Sequence, residues 1–422
     1  MKRIKIITLS VLALLPILIF YLQILIFAVN VPQADDYDTI LWSTDRFLES
    51  KDLNTKIEIL FSQFYEHRAV FLRAATLLAY YLTDKIDFRF LIFLGNISLL
   101  GLSVVLLLSF APADSKNKPL YFIPAIFFLF HPQYFDTIYL ASNALTHLYV
   151  LFFSFLSLYL LTKESIKYFL FSLLAAIIAI FTLGNGILVF FVGLVPLLYK
   201  RRYREIILWI LTGAGCSVLY FNGYMHPPNQ LAISTVVFKP LIHTINNFSS
   251  FTGMSFLEFG DNFARCSGIV CFLYFIYLIK IKYYKKNITI FSFLTFLFLT
   301  AMTVALFRRA GGLPWRYKAF SIHFLVLSYL SLIEILPEKS VKRIFPVLLI
   351  LSIFFNLFSY SKNYNYLVMR KKSLIVRLFY LKDRNIFGFD HSDRDRANSI
   401  ISSAIAKKLY FLPHVSSLAD AD

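Results

Sequence analysis

Charge is scarce in this chain. Only 16% of its 422 residues are Asp, Glu, Lys or Arg, against 58% hydrophobic residues and a mean hydropathy of +0.67. An ordinary soluble domain carries about a quarter charged residues, so that class is excluded. Cysteine is scarcer still. Cys216, Cys266 and Cys271 all lie in or beside apolar runs, which implies buried thiols and no disulfide framework. Short segments of alternating polarity, the mark of a membrane β-barrel, are missing. So are a Walker-type loop, G-x-G-x-x-G, H-E-x-x-H, G-x-S-x-G and any Cys/His zinc spacing. Those absences argue against an ATP-driven pump, a metalloprotease and a serine hydrolase. Few charged residues fall inside the apolar runs, which weakens a proton-coupled transporter.

Long apolar runs are abundant instead. About 17–25 apolar residues cross a hydrocarbon layer of roughly 30 Å. Runs near that length are read at 5–28, 90–110, 120–131, 145–162, 167–182, 186–199, 206–222, 266–281, 288–307, 320–336 and 344–360. An all-α, polytopic transmembrane bundle of about 11 spans is predicted. The run Ile6 to Val29 is too long for a signal peptide core and lacks a small-x-small cleavage site, so it is expected to be a retained anchor. Residues 69–82 carry Arg73 within a short run and read as an interfacial or re-entrant helix.

The formal net charge of +18 does not point to nucleic acid. Its basic residues cluster in short loops between apolar runs, among them Lys200-Arg201-Arg202-Arg204 and Lys280/Lys282/Lys285/Lys286. That is the positive-inside pattern of cytoplasmic loops. With those loops inside, the N-terminus is inside and the C-terminus outside. The chemically varied residues then share the outer side: "ADDYD" (34–38), "YEHRAVFLR" (65–73), "HPQYFDTIYLASN" (131–143), "LGNG" (183–186), "NGYMHPPNQ" (222–230) and "RRAGGLPWRY" (308–317). A site opening outward follows. The expected organisation is a transmembrane unit over 1–360, with 31–89 as its first outer loop, and a small outer tail over 361–422.

Three clusters can carry chemistry. Asp35 and Asp36 follow directly on the first apolar run. They are either a solvated loop that stops a helix or a pair in which one carboxylate is a general base. Glu66, His67 and Arg68 come next. Arginine is always charged and its planar fork matches phosphate oxygens, although an amphipathic helix touching lipid headgroups would look the same. His67 has no metal-ligand spacing around it, and no metal site is predicted. Arg308, Arg309 and Arg316 sit at the outer end of a membrane segment, against the positive-inside tendency, with Tyr317 beside them. Something anionic should hold them there: a lipid-linked phosphate, or ordinary headgroups. Asn185, Asn143 and His226 are further candidates for hydrogen bonds to a sugar.

The order of these elements resembles the polytopic GT-C class of glycosyltransferases. It is most similar to the bacterial and phage membrane glucosyltransferases that decorate O-antigen. The resemblance rests on the outer "ADDYD" after a first membrane helix, "YEHRAVFLR", and the late "RRAGGLPWRY" before a helix, spanning most of residues 1–320. It implies a GT-C-like fold in a bacterial inner membrane with the active site facing the periplasm. It also implies an inverting transfer of a sugar such as glucose from a polyprenyl-phosphate donor to a surface polysaccharide, the O-antigen of lipopolysaccharide, with a change of serotype. Asp35 or Asp36 would be the base. Arg68, Arg309 and Arg316 would contact the donor phosphate, and Glu66, His67, Tyr317 and Asn185 would line the substrate. No cofactor is required, although a divalent metal beside Asp35 and Asp36 is compatible with it, and the functional partners would be a lipid-sugar synthase and a flippase. Two other classes remain open from the residues: a polysaccharide polymerase, which relies on outer-loop arginines, and a flippase or transporter of lipid-linked sugar.

Overall fold

The computed structural model describes residues 2–226, 240–308, 313–384 and 393–413. Every regular element among them is a helix, and the two backbone bridges outside helices, Phe64 with His67 and Ile86 with Tyr410, are isolated. That outcome is what lipid demands. A backbone in hydrocarbon must satisfy its own N–H and C=O groups, and a helix does so within one segment.

Among the described residues, seven helices are long and apolar enough to cross a membrane: Phe88–Ser109, Ala141–Leu161, Tyr203–Phe221, Asp261–Lys280, Ile288–Phe307, Trp315–Ile335 and Glu338–Leu378. Val70–Thr83, Ile166–Ile180 and Gly184–Tyr199 are apolar but shorter, and the first helix, Lys2–Phe27, runs for 26 residues. Seven of the eleven expected spans thus meet that length and composition among the described residues. Burial sorts the seven. Trp315–Ile335 is 78% buried and sits centrally, whereas Asp261–Lys280 is 17% buried and turns most of its apolar surface outward. The last long helix also differs from expectation. It runs without a break from Glu338 to Arg384, so residue 360 lies within a helix and not at its end.

Close approach of helices is set by small residues. Helix Leu241–Gly253 crosses Asp261–Lys280 where Gly253 and Gly268 face the opposing backbone. A Cβ at Gly268 would lie 2.0 Å from the Ser249 carbonyl oxygen, and one at Gly253 would lie 1.8 Å from that of Ala264. Helices in lipid associate largely by such packing. Gly268→Val is accordingly expected to cost at least about 1–3 kcal/mol through overpacking, read as a lower thermal midpoint of the detergent-solubilised protein.

At one end of the bundle, buried Glu334 fastens three helices. Its carboxylate accepts from Ala111 N (2.7 Å), Asn287 Nδ2 (2.9 and 3.1 Å) and Tyr283 Oη (2.7 Å). The opposite end is where the polar residues gather.

Candidate functional site

The first helix ends at Phe27, and the chain then turns through Ala34 at φ +43°. That left-handed conformation is costly for a residue with a Cβ. Asp35 follows at once. Tyr65, at φ +46°, stands just before Glu66 in the same way. Backbone strain of this kind tends to persist where surrounding structure fixes a functional geometry. Both strained turns deliver a carboxylate to one cavity.

That cavity has about 770 Å³ of empty volume and is lined by Asp35, Glu66, His67, Asn185, Arg316 and Tyr317, among others. These six residues singled out from sequence, and Asn143 with them, thus converge on it. They arrive from helix ends and turns: the loop after the first helix, the loop before Val70–Thr83, the "LGNG" turn and the start of Trp315–Ile335. Two turns of π-helix, Tyr37–Trp42 and Ala144–Leu148, also border it through Thr39, Thr146 and His147. Widened turns of this type frequently occur at functional sites.

Thr39 pins the acidic loop. Its hydroxyl donates to the Asp35 carbonyl at 2.6 Å and its N–H to the same oxygen at 2.9 Å. Asp35 is half-buried in the cavity wall. Asp36 points elsewhere. It is buried, with Oδ1 accepting from Ser142 N at 2.9 Å and Oδ2 from Gln33 N at 3.2 Å. Burial pushes its carboxyl up to about 7, although those two backbone donors favour the ionised form. The adjacent acids are therefore not equivalent: Asp35 faces the cavity and Asp36 holds the loop.

The raised Asp36 group makes stability depend on pH. A carboxyl whose folded value exceeds its unfolded value stabilises the fold below the unfolded value, and that contribution is lost as pH rises through the folded value. The melting temperature of the wild-type protein should fall from about pH 5 to about pH 8 through this group. Asp36→Asn should flatten that slope. An equal slope in both proteins would show that Asp36 does not titrate in the fold.

Glu66 and Arg308 form an ion pair, and the Arg308 guanidinium lies 6.0 Å from the Tyr317 ring centroid. Burial alone would raise Glu66, but the neighbouring positive charges, Arg308 and Arg316 among them, outweigh it and hold the carboxyl below its usual range. His67 is lowered to about 4, by burial first and by Arg316 and Arg308 next, against the pull of Glu66. Its side chain is 32% exposed and lines the cavity. A neutral imidazole results. Its Nδ1 accepts from Gly184 N at 3.3 Å, which assigns the proton to Nε2, 3.7 Å from Glu66 Oε1.

Arg316 has no side-chain ion pair or hydrogen bond among the described residues, and its guanidinium borders the cavity. Asn185 donates to Thr300 Oγ1 at 3.4 Å, while its Oδ1, buried in the wall, has no hydrogen-bond partner among the described residues. Such groups are expensive to leave unpaired, and sites that bind polar ligands supply them.

Arg68 is not part of this cavity. Its Nε donates to the Tyr220 carbonyl at 2.6 Å and its two terminal nitrogens to those of Phe61 and Asn222. Arg73 donates to the Leu60 and Ser62 carbonyls at 2.8 and 2.7 Å. These carbonyls lie at the C-terminal ends of Leu53–Phe61 and Tyr203–Phe221, where the last helical C=O groups lack partners and the dipole is negative. The sequence reading of Arg68 as a phosphate contact gives way to a capping role, because each of its three nitrogens already donates to a carbonyl at a helix end and the side chain does not line the cavity. Arg309, the Gly311–Gly312 turn and the loop beyond His226 lie outside the described residues.

A second cavity lies across the acidic loop. Asp35 borders the first, and Gln33 and Ala34 border the second, together with Asp136, Tyr366 and Arg370. It has about 1120 Å³ of empty volume. Phe135 and Tyr366 pack at 4.1 Å between ring centroids on its wall. Arg370 reaches Gln33 Oε1 at 2.9 Å and the Tyr139 carbonyl at 2.7 Å. Burial raises the Asp136 carboxyl in spite of Arg316 and Arg370 nearby.

His147, Asp136 and Arg370 were not among the residues singled out from sequence. Ser142, Asn143, Thr146 and His147 recur on one helical face at the head of an apolar run, and that spacing was the available signal. Among the described residues, no three His, Cys, Asp or Glu side chains come together as a metal site would require. No family model, no curated protein and no solved structure matches the chain.

Proposed function

We propose that this protein is an integral-membrane glycosyltransferase that moves a sugar from a polyprenyl-phosphate donor to a polysaccharide acceptor, on the outer face of a bacterial inner membrane. The observation that carries this reading is the pairing, in one cavity at the end of a membrane bundle, of a half-buried carboxylate with an arginine whose fork is not taken up by the protein. A carboxylate and a cation lining one cavity suit a displacement in which one group gains a proton and another leaves with negative charge.

Asp35 accepts the proton of an acceptor hydroxyl as that oxygen attacks the anomeric carbon. The bond from the anomeric carbon to the donor phosphate oxygen breaks, its electron pair stays on the phosphate, and the sugar inverts. Arg316 stabilises the departing lipid phosphate through its planar fork. Glu66 ionically fixes Arg308 beside it. Neutral His67, with its proton on Nε2, and Asn185 supply a donor and an acceptor for sugar hydroxyls. The second cavity, one loop away, gives room for the acceptor chain.

The reading requires residues 31–68 and 313–317 to face outward and the loops at Lys200–Arg204 and Lys280–Lys286 to face the cytoplasm. In a cysteine-free background, Lys51→Cys should react with an impermeant maleimide in intact spheroplasts, and Lys285→Cys only after lysis. Both side chains are exposed, so access to reagent is set by sidedness alone. Labelling of the reverse pattern would remove the outward-facing site.

A further inference from the structure

The helix Arg394–Ala406 lies far along the chain from the acidic loop but is packed against it. Its apolar face, Ala397, Ile400, Ile401 and Ala404, is buried at helical spacing. Its polar residues reach the segment that follows Asp35. Arg396 meets Asp38 Oδ1 through Nε at 2.8 Å and Nη2 at 2.7 Å, with its guanidinium 5.7 Å from the Trp42 ring centroid. Lys407 clasps two acids one turn apart on the helix Ser43–Glu49: Asp45 at 2.7 and 2.8 Å and Glu49 at 2.6 Å. Ser403 adds a bond to Asp45 Oδ2 at 2.9 Å.

The end of this segment returns to the start of the loop. Tyr410 Oη donates to the Asn30 carbonyl at 2.6 Å, and Ile86 N donates to the Leu409 carbonyl at 2.7 Å. Residues 30 to 49, which contain both strained Ala34 and Asp35, are therefore held at each end by one C-terminal element. The division of labour follows from exposure. Arg396 and Lys407 are 48% and 38% exposed, so each ion pair alone adds little, and the buried apolar face keeps the helix seated. The charges fix its register against the turn. Through Asp38 they fix the π-helical turn Tyr37–Trp42, and that turn carries Thr39, which grips the Asp35 carbonyl.

We propose that the helix Arg394–Ala406 is a strap that holds the Asp35 turn in its strained conformation, with Arg396 and Lys407 as positioning residues for the reacting carboxylate. The catalytic half of this inference rests on the glycosyltransferase reading; the ordering of the turn does not.

Hydrogen exchange on the full-length protein in detergent tests the strap without any substrate. In Arg396→Ala/Lys407→Ala, amides of 37–49 should exchange about tenfold faster, with those of 141–161 and 315–335 unchanged. Arg396→Asp should show the same local loss, and adding Asp38→Arg should recover at least part of it by restoring the pair with reversed charge. Unchanged exchange at 37–49, or faster exchange along the whole chain, would overturn the strap. Transfer from polyprenyl-phosphate glucose in membrane vesicles supplies the second readout. A displaced base lowers kcat, by up to about 10²-fold, and leaves KM for the donor unchanged. Looser exchange with an unaltered kcat would overturn the positioning role. A wild-type chain inert with that donor would count against the transferase reading alone, and the exchange result would still decide the strap.

Discussion

Asp35→Asn is expected to lower sugar transfer by about 10²–10⁴-fold, the range a positioned general base contributes, with normal amounts of protein in the membrane. The amide keeps the size of the carboxylate and its hydrogen-bonding reach but cannot take a proton at neutral pH. Asp36→Asn should behave differently. Asp36 is buried and its oxygens are used by Ser142 N and Gln33 N, so its replacement leaves one of those donors facing an amide N–H. The cost is about 1–3 kcal/mol of stability, with a smaller effect on rate. Asp38 is tied to Arg396, so Asp38→Asn should loosen the turn without removing the base. Sugar-modified polysaccharide at wild-type levels in both Asp35→Asn and Asp36→Asn would reduce the cluster to a solvated loop. It would also favour a polymerase, which relies on arginines.

Arg316→Lys keeps the charge but loses the fork. If Arg316 stabilises the departing phosphate, the loss should be about 10²-fold in kcat, similar to removal of one preorganised donor to a developing anion. Little compensation is available nearby, because Arg308 is already paired with Glu66 and Lys318 is buried against Glu258. Near-full activity in Arg316→Lys would mean that this cation only anchors headgroups, as Trp315 beside it could. That ring is 47% exposed, with Lys318 Nζ 4.2 Å from its centroid.

Helical class and membrane character were legible in the sequence because both are averages over long windows. Apolar runs leave no alternative to helices in lipid. The gathering of polar residues at one end was legible as well, since charge asymmetry between loops sorts them by side without any contact being known. Individual partners were not. Arg68 and Arg316 are the same residue type in similar loops between apolar runs, yet one caps two helices and the other borders a cavity. The difference is made by carbonyls of Tyr220 and Asn222, some 150 positions away in the chain. Asp35 and Asp36 could not be told apart for a similar reason: the Ser142 N–H that claims Asp36 belongs to a distant segment. The role of the C-terminal segment was hidden because its contacts, Arg396 with Asp38 and Lys407 with Asp45, join residues whose numbers differ by 358 and 362. No pattern local to either partner announces them.

The central claim is that a surface glycan receives a sugar through Asp35. The most direct measurement is the chemical structure of surface polysaccharide from cells that lack the gene, express the wild-type chain or express Asp35→Asn at equal membrane levels. The expected result is an added sugar branch with the wild-type chain, and its loss to the gene-deficient state with Asp35→Asn. Identical polysaccharide in all three strains would contradict the account.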